Sequence, residues 1–73
     1  MIISRLDIQT IIDICPNWVN WIAQDADGTW WGYEIEPLQH DKGWYENEVG
    51  QCVKLKSMSP NTKWYQMCFA VNK

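Results

Sequence analysis

Few residues in this chain have the types and spacing that chemistry needs. Asp25-Ala26-Asp27-Gly28, with Glu34 six residues after the glycine, has the outline of a calcium loop. Such a loop needs a third oxygen ligand before its glycine. That ligand is missing here, and a hairpin turn accounts for the same residues. Cys15, His40, Cys52 and Cys68 are a donor set for zinc, three thiolates and one imidazole. No C-x-x-C knuckle joins any two of them, so buried free thiols are the expectation. Glu34, Glu36, Asp41, Glu46 and Glu48 offer carboxylates for acid–base work on glycosidic bonds. Nothing in their spacing fixes a pair at a working separation. His40 is the single histidine, and Ser57 and Ser59 lack the context of an activated nucleophile. A chain of 73 residues also leaves little room for a substrate cleft. The expectation is no enzyme, no metal and no cofactor.

Charge and aromatic content say more. All nine acids fall in residues 1–50, with Arg5 and Lys42 as the only cations there. Residues 51–73 hold Lys54, Lys56, Lys63 and Lys73 and no acid. The chain is therefore polarised, −7 against +4. Duplex DNA is disfavoured as a partner, because the acidic part repels phosphate. A protein with a basic surface fits better than DNA, and the plainer reading, that the acids only keep the domain soluble, stands beside it. Six Trp, three Tyr and one Phe are the other departure from an ordinary composition. A domain this small needs fewer rings than that for one core, so some are expected at an interface. Three widely spaced cysteines argue against a disulfide framework and for a cytoplasmic setting. There is no apolar run of spanning length.

The elements that must position these residues can be read from periodicity. Ile8, Ile11, Ile12 and Cys15 share one stripe of a helix. Ser4 is placed to cap it, Asp7 to answer as a weak capping box and Ile3 to staple onto Ile8. Pro16 ends it. Residues 18–25 read as a strand, with Val19, Trp21 and Ala23 on one side and Trp18, Asn20, Ile22 and Gln24 on the other. Gly28 supplies the positive φ of a turn, and residues 29–35 return as a second strand. The register between the two strands is left open. Residues 36–43 read as a polar loop, with a short strand starting at Trp44 and Tyr45. Residues 51–56 alternate, with Cys52, Lys54 and Lys56 opposite Val53 and Leu55. Residues 64–71 read as a last strand, a helix being the alternative. The fold class is α+β: a single domain over 1–73, one N-terminal helix packed on a small antiparallel sheet of three to five strands. One sheet face is covered and the other keeps rings near solvent.

The segment Trp18-x-x-Trp21-Ile22-Ala23-Gln24-Asp25-Ala26-Asp27-Gly28-x-Trp30-Trp31-x-Tyr33-Glu34-x-x-Pro37, followed by Trp44, resembles a group of small uncharacterised proteins of bacteriophages and prophages. Their shared pattern is similar to W-x-x-I/V-A-x-D-x-D-G-x-W/V-x-x-F/Y-E-x-x-P with a later Trp. The likeness covers roughly residues 16–45. It departs at the C-terminal end, where Lys63-Trp64-Tyr65-Gln66 carries no acid. The resemblance implies a phage accessory protein in the bacterial cytoplasm that binds a host or defence protein stoichiometrically and inhibits it, as an anti-CRISPR or other anti-defence protein does. It carries no catalytic residue across. The expected partner-binding residues are Trp30, Trp31, Glu34, Glu36, Trp44, Glu46 and Glu48. A self-associating assembly module, with the aromatics at a homodimer contact, is the first alternative. A weak single-strand nucleic-acid platform from Lys54, Lys56 and Lys63 with Trp64 and Tyr65 is the second.

Overall fold

Helix α1 spans Arg5–Asp13 in the computed structural model, which describes residues 5–46 and 49–71. Ile11 is fully buried, and Ile8, Ile12 and Cys15 pack beside it, so the apolar stripe faces the core. The helix tightens at its end. Ile14 N–H donates to Ile11 O at 3.3 Å and Cys15 N–H to Ile12 O at 3.1 Å, before Pro16 stops it. The expected cap, Ile3 and Ser4 with the Asp7 side chain, lies outside the described residues.

Six strands follow: β1 Trp21–Gln24, β2 Thr29–Tyr33, β3 Leu38–His40, β4 Gly43–Tyr45, β5 Cys52–Ser57 and β6 Cys68–Ala70. Four make an antiparallel sheet in the order β5-β2-β1-β6, and β3 and β4 form a separate two-stranded hairpin. The α+β class and the helix-on-sheet packing stand. The second small sheet is an addition.

The β1–β2 register sets Trp21 against Tyr33, Ile22 against Gly32, Ala23 against Trp31 and Gln24 against Trp30. Alternation then puts Ile22, Gln24, Trp30 and Gly32 on the helix side and Trp21, Ala23, Trp31 and Tyr33 on the other. Trp30 stacks on Phe69 of β6, with ring centroids 6.4 Å apart. Val53 and Leu55 of β5 close the same core. Val19 belongs to this core too, and not to the Trp21 side. The strand starts only at Trp21; before it, Val19 N–H bonds Pro16 O, and this turn drops the side chain over Gly32. A Cβ at Gly32 would stand 2.9 Å from both Val19 methyls, so the glycine makes room for the valine.

Two polar devices tie the loops. Gly28 has φ 95°, as the tight turn requires. Gln24, almost fully buried, donates from Nε2 to Gly28 O at 3.2 Å and Ser59 O at 3.3 Å, which clamps the 25–28 turn to the 57–60 loop. Residues 64–71 are not one strand. Buried Asn61 accepts Lys63 N–H on Oδ1 at 2.8 Å, and its carbonyl accepts Trp64 N–H at 3.1 Å. That Asx turn starts a 3-10 turn over Trp64–Gln66, and only Cys68–Ala70 pairs with β1.

Candidate functional site

The expected binding face has to be redrawn, because the second sheet face is covered. The segment read as a loop turns back as the β3–β4 hairpin and lies against it. Trp44 N–H donates to Asp25 Oδ1 at 2.9 Å, its indole Nε1–H to Gln24 O at 3.0 Å, and its carbonyl accepts the Tyr33 hydroxyl at 3.2 Å. Ala26 N–H reaches Lys42 O at 2.9 Å, and Pro37 and Tyr33 are buried. The rings thus lie on both faces of the sheet, Trp30 buried under the helix and Tyr33 under the hairpin, with Trp31 and Trp44 half-buried beside it. Burial also sets the Tyr33 hydroxyl, with carboxylates near it, well above the usual tyrosine range.

Residue by residue, the expected set divides. Trp30 is 0% exposed and cannot reach a partner; this corrects its placement in the binding face. Trp31 and Trp44 are half-buried, and both donate to the Asp25 carboxylate, Trp31 from its side chain. Glu34 is held at the sheet end, where Oε1 accepts Gln51 N–H at 3.2 Å. Glu36 and Glu46 are exposed. Glu48 lies outside the described residues.

The other candidate chemistries are dispersed by the same topology. Asp25 serves Trp44 and Trp31, Asp27 accepts Thr29 N–H at 2.9 Å, and Glu34 serves Gln51, so the calcium-like carboxylates are committed within the fold. Cys52 and Cys68 sit on the outer strands β5 and β6. Three strand spacings, about 14 Å, keep them from sharing a disulfide or a metal. Desolvation and the nearby Glu46 push the Cys52 thiol up to about 11; desolvation and Glu36 do the same for Cys68. Both thiols are protonated at neutral pH, which keeps them poor nucleophiles. The basic platform is divided as well. Lys54 and Lys56 lie on β5, whereas Trp64 and Tyr65 lie beside β1, across the sheet.

What stands open is the outer surface of the hairpin. Leu38, His40 and Tyr45 share that side by register and are all exposed. His40 and Tyr45 meet edge to face at 6.1 Å. Beside them an open groove of about 450 Å³ is lined by Gln39, His40, Asp41, Trp64 and Tyr65. Trp64 and Tyr65 pack edge to face at 6.1 Å, Tyr65 with 45% of its surface exposed. Residues 36–46 carry Glu36, Asp41 and Glu46 against Lys42, a net −2. Sequence reasoning missed Leu38, His40, Asp41, Tyr45 and Tyr65 as a group. The signal was the pairing of Leu38-Gln39-His40 with Gly43-Trp44-Tyr45 across Asp41-Lys42, two strands of three residues each.

Asp25 gives a test of this geometry. Desolvation pushes its carboxyl above the ordinary 3.8; the Asp27 charge adds to the rise, and the bonds from Trp44 N–H and Trp31 oppose it. The folded state therefore holds this proton more tightly than the unfolded chain. The stability it contributes is full below 3.8 and is lost as pH rises through the raised folded value. Asp25→Asn keeps an oxygen for Trp44 N–H and cannot ionise. Its melting temperature should gain on the native protein's as pH rises from below 3.8 through the raised folded value. Parallel pH curves for the two would show that Asp25 is not desolvated by the hairpin.

No family model, curated protein or solved structure matches this chain. The site therefore has to be read from its own geometry. Among the described residues, no helix is long and apolar enough to cross a membrane.

Proposed function

We propose that this chain is a non-catalytic accessory protein of the phage type that binds one bacterial protein stoichiometrically and blocks it. The observation that supports this reading is the outer surface of the β3–β4 hairpin. Leu38 and Tyr45 are exposed there, Tyr65 is exposed across the adjoining groove, and Glu36, Asp41 and Glu46 are exposed in the same chain segment as the hairpin. Grouped exposed rings are the usual anchors of a protein interface. Surrounding carboxylates steer a basic partner and raise its association rate. Leu38 and Tyr45 leave 44% and 47% of their surface exposed, more than the fold alone asks of apolar strand residues.

The test is capture from bacterial lysate, followed by titration of the retained partner with purified protein. The double variant Glu36→Lys, Glu46→Lys should slow association about ten-fold or more at low salt, with the difference shrinking as salt rises. A partner inhibited at one-to-one stoichiometry completes the reading. Unchanged association of the double variant would overturn the acidic face.

A further inference from the structure

We propose that the groove between the β3–β4 turn and the 3-10 turn receives an arginine side chain presented by the protein partner, an assignment that rests on the binding-module reading above. The lining has two halves. Trp64 and Tyr65 bring aromatic surface, held edge to face. Asp41 brings a carboxylate and Gln39 a side-chain amide carbonyl. A guanidinium matches both halves at once. Its plane stacks on a ring, and its fork of donors spans a carboxylate and a carbonyl. It is also more weakly hydrated than an ammonium, which suits a groove open to water. Tyr45 meets the His40 ring edge to face, so the wall of the groove next to Asp41 is braced.

Charge supports a cation over an anion. Residues 36–46 carry net −2, and Asp41 is the one acid among the described residues that line the groove. Lys42 and Lys63 adjoin it in sequence, are exposed, and do not line it. They lower its negative potential, so Asp41 is the anchor and recognition depends on the planar contact as well as on charge. A nucleotide would stack on the same rings, but its phosphate would meet Asp41 and the acidic hairpin.

The experiment uses the full ¹⁵N-labelled chain and small probes: Nα-acetyl-arginine amide, the lysine and citrulline analogues, and adenosine monophosphate. Arginine should shift the Trp64 indole and the amides of residues 39–41, saturating in the millimolar range. Citrulline, with the same shape and no charge, should bind about three-fold or more weakly. Asp41→Asn should bring arginine down to the citrulline level with the rest of the spectrum unchanged. Lys63→Ala should tighten arginine about two-fold. The proposal is overturned by shifts spread over the whole chain, by citrulline equal to arginine, or by the nucleotide binding more tightly than arginine. Its failure is separable from that of the reading beneath it. If arginine misses the groove while Glu36→Lys, Glu46→Lys still slows capture, only the arginine assignment falls.

Discussion

Replacing Trp30 with alanine should remove about 3–5 kcal/mol of folding stability. The ring is 0% exposed, sits among Ile11, Val19 and Ile22, and stacks on Phe69. It bridges the helix, the central strands and the last strand, so no single neighbour can relax into the space. A domain of this length has about 4–11 kcal/mol in all. Trp30→Ala should therefore be largely or wholly unfolded near physiological temperature, which circular dichroism on denaturant titration would show. Trp30→Phe should cost much less, since it keeps a ring against Phe69 and discards an indole N–H that has no hydrogen-bond partner. Equal losses for the two variants would mean that the indole edge, and not the packed ring, holds the core.

Gly28→Ala should be the second large effect, on the order of 2–5 kcal/mol. Two causes add. The residue has φ 95°, where an L side chain is strained. A Cβ there would also overlap the Met58 carbonyl oxygen and stand 2.9 Å from Pro60 N. Those neighbours are backbone, and Met58 N–H bonds Gly28 O at 3.1 Å, so moving the loop breaks that bond and the Gln24 clamp. A melting temperature within a few degrees of the native value would show that the 57–60 loop is not packed on the turn. Neighbouring Ala26, half-buried and bonded to Lys42 O, provides a control position in the same turn.

Periodicity carried the helix, the β1–β2 hairpin and the alternation of β5, because each has a stripe or a two-residue repeat long enough to read. Gly28 marked its turn correctly for a local reason, its φ. Three features needed tertiary information. Val19 falls on the helix side because a turn at Pro16 precedes the strand, and strand alternation does not extend through a turn. Trp64 leaves the final strand because Asn61 starts a 3-10 turn from three residues upstream. The β3–β4 hairpin escaped because its strands are three residues long, too short for a two-residue repeat to show, yet it decides how far Trp31 and Trp44 are available. Trp30 is core under the helix; the hairpin on the other face buries Tyr33 and ties Trp31 and Trp44 to Asp25, and the exposed rings become Tyr45 and Tyr65. The acids at Glu36 and Glu46 kept their exposed place because charge pattern alone locates solvated residues.

Partner binding, on the reading proposed above, belongs to the outer surface of the hairpin and not to exposed apolar surface in general. The measurement is capture of the lysate partner by three baits: the native chain, Tyr45→Ser with Tyr65→Ser, and Ile14→Ser at the end of the helix. Ile14, Tyr45 and Tyr65 are 48%, 47% and 45% exposed, so each substituted residue is exposed to a similar degree at a different place. The double tyrosine variant should lose the partner while Ile14→Ser retains it at the native level. Retention by the tyrosine variant, or loss by Ile14→Ser alone, would contradict it.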